Sequence, residues 1–306
     1  MLFRLKVPPE DGGLRLDLFL RRRAGLSGTM LRRLKREGRL ITVDGMPRFA
    51  NQPVHAGEIV AVDLPAYGPA NAPVPSPAAP LRVVFEDDFL LAVWKPPFLQ
   101  THPSPSVSRG GDTLEGRVIA YLSRPAHPVH RLDSETSGIV LFAKLPHVQW
   151  LLQQQLAGDG FEKGYLAIVC GVPSPDAGVI DAPIARAAPD SFTRCVSEAG
   201  QPALTCYRCL ATFPAGSAAV PVTLVRLRPV TGRTHQLRVH LSSAGCPILG
   251  DARYASAASA ALSAELGLGR QQLCADRLRF VHPVTQETLH LQAEDDLELL
   301  SLLRKR

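Results

Sequence analysis

The sequence HRLDSETSG occupies residues 130–138 and leads directly into the apolar run IVLFA at residues 139–143. A short apolar run with β-branched and aromatic members predicts a buried strand. The polar residues before it then form a loop at the edge of that strand, where catalytic groups are often placed. Asp133 is therefore a candidate catalytic carboxylate, although an aspartate in a loop more often serves as a turn or cap residue.

Similar apolar runs recur on both sides of this stretch. They cover residues 81–85, 89–94, 165–170 and 222–228, and helix-like segments at 114–122 and 146–156 separate some of them. No fixed-period repeat is visible, which disfavours a solenoid or a propeller. The pattern predicts an α+β domain over residues 81–306 with a mixed sheet.

The N-terminal part of the chain has a different pattern. In residues 30–38, MLRRLKREG, Leu31 and Leu34 share one helical face, basic residues surround the other, and Gly38 suits the end of the helix. Two extended stretches follow, and the first ends at Asp44-Gly45, a strong signal for a two-residue hairpin turn. Residues 1–65 are therefore predicted to form a small α/β domain.

A proline-rich segment separates these two parts. Residues 66–80 read AYGPANAPVPSPAAP, with five prolines and no charged residue. Such a composition favours a semi-extended spacer. We expect residues 66–80 to be a linker between the two domains.

Positive charge is concentrated near the N-terminus. The formal net charge is +6, and residues 21–39 contain eight Lys or Arg residues and one acid. A cluster of this kind is often only a solvated helix face, but a phosphate backbone is its commonest functional partner. The candidate RNA contacts on the predicted helix are Arg32, Arg33, Lys35 and Arg36.

The cysteines and the apolar segments argue against a secreted or membrane protein. Six cysteines are scattered without the density of a disulfide framework, and the single C-x-x-C at Cys206 and Cys209 has no second pair for zinc. No apolar run reaches the roughly 18 residues that a membrane-spanning helix needs. We expect reduced thiols, no metal site, no membrane partner and a cytoplasmic protein.

Several long motifs occur in one order along the chain. After residues 130–138 come KGYLAIVCG at 163–171, TGRTHQLRVHL at 231–241 and GCPILGD at 245–251. Together they resemble the RluA family of pseudouridine synthases over about residues 81–285. One departure is Cys274, where that family usually has histidine. Residues 12–64 resemble the S-four-type RNA-binding domain named after a ribosomal protein, with departures at residues 28–29 and at Asp44.

The resemblance implies a fold, a reaction and site residues. The catalytic sheet would be largely antiparallel, and the enzyme would isomerise uridines in structured RNA without a cofactor, a metal or an obligate protein partner. Asp133 would act at the sugar, and Arg233 would keep its carboxylate charged. Tyr165 would stack on the uracil and help to remove the proton from carbon five. Arg131 would fill the gap left by the extruded nucleotide.

Other functions share part of this pattern. A kinase catalytic loop is disfavoured because no glycine-rich loop precedes it and no Asp-Phe-Gly follows it. An RNA N-glycosidase would use the same carboxylate but release the base, and a non-catalytic RNA-binding factor would not need Asp133 or Arg233. For the synthase, large-subunit ribosomal RNA is the favoured substrate, and transfer RNA is the alternative.

Overall fold

The computed structural model describes residues 2–38, 41–64, 75–76, 80–103, 111–217, 220–294 and 297. Their helices are α1 (Leu16–Ala24), α2 (Gly28–Arg36), α3 (Leu114–Leu122), α4 (Pro146–Ala157), α5 (Gln236–Ser243) and α6 (Ala257–Glu265), with a 3-10 turn at Pro9–Asp11. Their strands are β1 (Leu2–Lys6), β2 (Ile41–Val43), β3 (Met46–Pro47), β4 (Ile59–Asp63), β5 (Arg82–Glu86), β6 (Leu90–Lys95), β7 (His127–Pro128), β8 (Ser137–Ala143), β9 (Phe161–Cys170), β10 (Ala177–Asp181), β11 (Ile184–Arg186), β12 (Arg194–Val196), β13 (Leu204–Ala215), β14 (Val220–Pro229), β15 (Leu273–Val281) and β16 (Thr288–Gln292). None of the described helices is long and apolar enough to cross a bilayer.

The N-terminal strands form a small sheet of their own, in the order β1-β4-β2-β3. Its hairpin turns at Asp44 and Gly45, whose φ angles of 50° and 80° are the positive values that a type I′ turn needs. Helix α2 buries Leu31 and Leu34 and begins at Ser27, whose side chain accepts from the Met30 N–H. The predicted amphipathic helix and hairpin are confirmed.

The predicted linker at 66–80 lies mostly outside the described residues. Of this segment only residues 75, 76 and 80 are described. Ser76 contacts the larger domain, because its N–H donates to the Gly116 carbonyl at 3.0 Å and its hydroxyl to Asp112 at 2.9 Å. Ser76 therefore lies against the start of α3.

The remaining described strands form a separate β11–β12 hairpin and one large mixed sheet. Its strand order is β10-β13-β14-β9-β15-β8-β6-β5, and β16 and β7 pair with β15 and β8. Among the described pairings only β15 with β8 is parallel. The structure confirms an α+β fold with a mixed, largely antiparallel sheet.

The centre of this sheet brings together segments that are far apart in sequence. Strand β15 lies between β8 and β9, so the loop before β8 and the face of β9 are neighbours. Gly138 at the start of β8 has a φ of 131°, and a Cβ there would lie 2.2 Å from the Ala275 carbonyl oxygen of β15. This close approach requires glycine. It fixes the polar loop at 130–137 beside the central strands.

The N-terminal domain packs directly on the larger one. Phe3 meets Phe89 and His147 edge to face, at centroid distances of 6.0 and 5.8 Å. His147 on α4 is buried, hydrogen-bonds the Ala24 carbonyl and stacks on Trp150. Burial lowers the pKa of His147, so its neutral ring donates to that carbonyl. The hydrophobic core is thus continuous between the two domains.

Candidate active site

A pocket of about 160 Å³ opens beside the polar loop. Its walls come from the loop before β8, from β9 and from the segment that enters α5, and they include Asp133, Lys163, Tyr165, Arg233 and Arg238. A cavity of roughly 150 Å³ can hold benzene. The pocket is therefore large enough for a base of one six-membered ring.

A buried lysine holds the loop that carries Asp133. Lys95, the last residue of β6, is fully buried. Its ammonium donates to the carbonyls of Pro96, Leu99 and Ser134 at 3.0, 2.8 and 2.7 Å. An ammonium has three hydrogens, and each has an acceptor here. Lys95 therefore ties the loop to the end of β6.

Further hydrogen bonds fix the loop on either side of Asp133. The Thr101 hydroxyl lies 3.2 Å from both the N–H and the carbonyl of Leu132. The Thr136 N–H donates to the Asp133 carbonyl at 3.2 Å, which closes a turn. Gln271 donates to the Thr136 hydroxyl at 2.7 Å. Because both of its ends are held, the loop presents the Asp133 carboxylate in one orientation.

The guanidinium that contacts Asp133 belongs to Arg238. Its Nη1 lies 3.3 Å from Asp133 Oδ2, while its Nε and Nη2 donate to Asp251 at 2.6 and 2.8 Å. Burial disfavours the charge on Arg238, but the bonds and charges of Asp251 and Asp133 outweigh it and raise the pKa. The bidentate pair fixes the plane of the guanidinium, so Arg238 points one N–H at Asp133.

The predicted ion pair between Asp133 and Arg233 is therefore corrected. Arg233 lines the same pocket, but its Nε donates to the Pro202 carbonyl at 2.9 Å. It lies in the turn before α5, where its own N–H donates to the Gln236 side chain at 2.9 Å. Arg238 lies inside that helix and faces Asp133. Both arginines belong to the same sequence motif. Their positions relative to the start of α5 decide which of them reaches Asp133.

Tyr165 lies on β9 with its side chain in the pocket. Burial raises its pKa, and the nearby Asp133 charge and Cys274 thiol raise it further. The hydroxyl therefore stays protonated at neutral pH. Lys163, two residues earlier on the same strand face, also lines the pocket, and burial lowers its pKa. A role for this half-buried lysine was not predicted from the sequence.

His235 completes the surroundings of Asp133, and the sequence analysis had not placed it in this site. Its Nε2 lies 3.9 Å from Asp133 Oδ2, and its Nδ1 lies 2.7 Å from the Tyr254 hydroxyl. That hydroxyl also accepts from the Arg194 N–H at 2.9 Å. Burial lowers the pKa of His235. The negative charge of Asp133 raises this pKa, and the positive charge of Arg238 lowers it. The imidazole therefore turns its Nε2 edge towards Asp133 and its Nδ1 edge towards Tyr254.

The predicted RNA-contacting residues fall into two places. Arg131 is exposed and lines both the 160 Å³ pocket and a neighbouring cavity of about 540 Å³ that also includes Asp133 and Arg238. The four basic residues predicted on α2 lie on the N-terminal domain instead, all exposed: Arg32, Arg33, Lys35 and Arg36. The structure thus gathers Asp133, Tyr165, Arg233 and Arg131 around one pocket, and it places the basic helix in the other domain.

Comparison with known proteins agrees with this geometry. Residues 89–243 match the family model for RNA pseudouridylate synthase. The ribosomal large subunit pseudouridine synthase C of Haemophilus ducreyi is 33% identical over 309 aligned residues, which cover 98% of this chain and 94% of that protein. The ribosomal large subunit pseudouridine synthase D of Nitrosomonas europaea is also 33% identical, with 98% and 86% covered.

Solved structures give the same result for the larger domain. The structure of human RNA pseudouridylate synthase domain containing 1 superposes with a TM-score of 0.58 at 26% identity, covering 71% of this chain and 84% of that one. Human RNA pseudouridylate synthase domain containing 4 gives 0.53 at 28% identity, with 73% and 92% covered. The family match covers half of the chain and the relatives cover nearly all of it, so the chain belongs to the RluA family of RNA pseudouridine synthases.

Proposed function

We propose that this enzyme isomerises specific uridines of large-subunit ribosomal RNA, and that Asp133 is the group that acts at the ribose. One observation carries the assignment of Asp133. Its carboxylate is oriented by Arg238 at 3.3 Å on the wall of a pocket that fits a single ring. The ribosomal substrate is supported by the names of the relatives from Haemophilus ducreyi and Nitrosomonas europaea.

The reaction needs a carboxylate and no change of oxidation state. The bond from ribose C1′ to uracil N1 breaks, and its electron pair leaves with the base. The base turns, C5 bonds to C1′, the C5 proton leaves and N1 gains a proton. Asp133 either bonds to the electron-poor C1′ or removes a proton beside it. Both routes require one free carboxylate oxygen.

The contacts of Asp133 leave one oxygen for that purpose. Arg238 and His235 both face Oδ2, at 3.3 and 3.9 Å. Among the described residues no side chain donates to Oδ1. The protein thus holds one oxygen of the carboxylate and presents the other to the sugar. Arg238 acts here by positioning Asp133.

Tyr165 acts on the base through a neutral hydroxyl. Its raised pKa makes the phenolate scarce at neutral pH. The ring supplies a stacking face. The hydroxyl accepts the C5 proton only while it passes its own proton on. Tyr165 is therefore a relay rather than a phenolate base.

The position of the site requires the target nucleotide to leave its helix. Tyr165 forms the buried wall of the pocket, so a base stacked in a duplex cannot reach it. Arg131 is exposed and lies next to Asp133 in sequence, at the mouth of the pocket. We assign to Arg131 the role of filling the gap in the RNA that the extruded nucleotide leaves.

The N-terminal domain is proposed to be an S-four-type RNA-binding domain. Its helix α2 exposes Arg32, Arg33, Lys35 and Arg36 while it buries its leucines. By contrast, Arg22 and Arg23 of α1 both pair with the buried Asp11 and serve the fold of the domain. The exposed basic face is therefore that of α2. Phosphates of the RNA outside the target site are its proposed partners.

The substrate proposal is tested by mapping pseudouridines in cells with and without this gene. In cells without the gene, we expect pseudouridine to be missing at one or more uridines of large-subunit ribosomal RNA and at none in transfer RNA. This proposal places the enzyme in the cytoplasm. Restoring the gene should restore the sites, and restoring it as Asp133→Asn should not. Loss of pseudouridine from transfer RNA alone would contradict the ribosomal substrate.

The role of α2 is tested in the full chain, because the N-terminal domain packs on α4. The double variant Arg32→Gln and Arg36→Gln should bind RNA more weakly and with a shallower salt dependence. The slope of log K against log salt should fall by about 0.9 for each lost phosphate contact. The matched control is Arg208→Gln, an exposed arginine on β13. A slope equal to that of the control would mean that α2 does not contact RNA.

A further inference from the structure

A short hairpin beside the active site carries an unusual pair of arginines. Strands β11 and β12 pair antiparallel, and Arg186 lies directly opposite Arg194. Side chains of directly opposite residues share one face of a sheet, and like charges in such positions destabilise it. An anion between the two guanidinium groups would remove this repulsion. The register alone therefore points to a negatively charged ligand.

These arginines line a groove with a third one. The groove has a volume of about 420 Å³ and is lined by Arg186, Arg194 and Arg233 together with small and neutral residues. No carboxylate belongs to this lining within the described part of the chain. The groove thus collects three positive charges without a counter-charge. A phosphate is the anion whose geometry matches guanidinium donors.

The arginines also keep hydrogen-bond donors unused. Arg194 Nε is buried and has no acceptor in the part of the chain that the structure describes. Arg186 makes one long bond, from Nη1 to the Pro189 carbonyl at 3.4 Å. Arg233 uses its Nε on the Pro202 carbonyl, which leaves its terminal nitrogens available. Buried donors without a partner are rare in native structures and indicate a missing acceptor.

The groove is joined to the pocket of Asp133. Gly232, Arg233 and Thr234 line both of them. The hairpin is also fixed to the site, because the Arg194 N–H donates to the Tyr254 hydroxyl that holds His235. An RNA strand whose target base lies in the pocket must continue past its rim. The groove is where the next part of the backbone can lie.

An exposed aromatic residue sits at the tip of the same hairpin. Phe192 lies in the loop between β11 and β12, and its side chain is 79% exposed. A large apolar side chain in this position has no packing role within the described fold. Proteins bind the unstacked bases of single-stranded RNA by stacking aromatic side chains on them. Phe192 is placed to stack in this way.

We propose that the β11–β12 hairpin and Arg233 form a second RNA-binding site, in which the three arginines hold the phosphodiester backbone next to the target nucleotide and Phe192 stacks on a neighbouring unpaired base. This inference rests on the proposed function, because it takes the pocket of Asp133 as the place of the target base. It adds substrate contacts that are independent of the basic face of α2. It also gives Arg233 a role that replaces the predicted pairing with Asp133.

The two kinds of contact are separated by their salt dependence. A phosphate contact releases counterions, so Arg186→Gln and Arg194→Gln should each weaken RNA binding and lower the salt slope by about 0.7 to 0.9. A stacking contact involves no counterions. Phe192→Leu should therefore weaken binding roughly 5- to 150-fold and leave the slope unchanged. Both kinds of variant should raise KM while kcat at saturating RNA is retained. Arg208→Gln is the control for the loss of one exposed charge.

The experiment is run on whichever transcript, large-subunit ribosomal or transfer RNA, the wild-type full-length enzyme modifies. If the substrate is not ribosomal RNA, the hairpin can still be tested. If Asp133→Asn is active, the catalytic assignment is refuted, but the salt slopes of RNA binding are unaffected. Because Arg194 is partly buried, a variant there that does not fold is replaced by the exposed Arg186. Wild-type affinity and slope in both Arg186→Gln and Phe192→Leu would overturn the proposal.

Discussion

The contact between Arg238 and Asp133 gives the sharpest prediction, which is the effect of Arg238→Lys. Arg238 donates twice to Asp251 and once to Asp133. Lysine keeps the charge but has no planar fork, so it cannot hold the Asp251 pair and reach Asp133 in the same geometry. The variant therefore separates the charge of the guanidinium from its ability to orient the carboxylate.

The size of the effect follows from what is lost. Misplacing a reacting group by about 1 Å costs roughly 100-fold in rate, and the loss of a preorganised donor costs a similar factor. A 100-fold loss corresponds to about 2.7 kcal/mol of activation free energy. The buried Asp251 also loses a charge-assisted hydrogen bond, which costs about 1.5–3 kcal/mol of folding free energy. The melting temperature should fall by several degrees, with the protein still folded at the assay temperature.

The assay is single-turnover release of tritium from C5-labelled uridine at saturating RNA, with a thermal melt of each variant. We expect Arg238→Lys to be slowed about 100-fold. Arg233→Lys is the comparison, because Arg233 contacts a backbone carbonyl rather than Asp133. It should be affected mainly in KM. Near-normal single-turnover rates for Arg238→Lys, or equal rate defects in both variants, would refute the assignment of Arg238 as the residue that orients Asp133.

Four further variants test other parts of the site. Asp133→Asn should melt normally and release no tritium above background; measurable turnover would remove Asp133 from the chemistry. Tyr165→Phe should bind RNA as tightly as wild type in a binding assay and lose most product, because the ring still stacks while the relay is gone. Lys95→Met should lower both stability and kcat, since three loop carbonyls lose their donor. Burial raises the pKa of Glu115 from 4.5 to about 7. Ionisation of Glu115 therefore opposes folding above about pH 4.5. Above pH 7 it lowers the free energy of unfolding by at most about 3 kcal/mol. Glu115→Gln should therefore melt higher than wild type at pH 8, and the gain should shrink towards pH 5; an equal gain at both would contradict this.

Local sequence signals predicted the elements whose ends are set locally. Helix α3 spans the predicted 114–122, because Thr113 accepts from the Gly116 N–H at its start and Ser123 adopts a left-handed conformation at its end. The hairpin at residues 44–45 is decided by its two turn residues. Strand β13, which covers Leu204–Ala215, was not among the predicted apolar runs. Most of its side chains are partly exposed, so it lacks the apolar run that marks a buried strand.

Some residues of the site could likewise be predicted from local sequence, and others could not. Motif order predicted that Asp133 and Tyr165 belong to the site, because each lies inside a long continuous match, and both line the pocket. The partner of Asp133 could not be chosen from the sequence, since Arg233 and Arg238 share one motif. The start of α5 at Gln236 places only the second of them in the helix. Asp251 and Lys95 act through contacts that span 13 and 39 residues, and no local pattern reports such contacts.

The packing of the N-terminal domain changes how target choice should be understood. A proline-rich segment between two domains suggests a tethered module whose reach depends on the length of the tether. In the structure, Phe3 and the Ala24 carbonyl contact His147 on α4, and Phe3 also packs on Phe89. Removing residues 1–65 would expose Phe89 and His147, so a truncated catalytic domain would lose part of its core. Because the domain is held by buried contacts, the basic face of α2 stands at a fixed distance from Asp133. With the proposed roles of α2 and Asp133, we expect the enzyme to select RNAs in which a phosphate-rich surface and an accessible uridine match that distance.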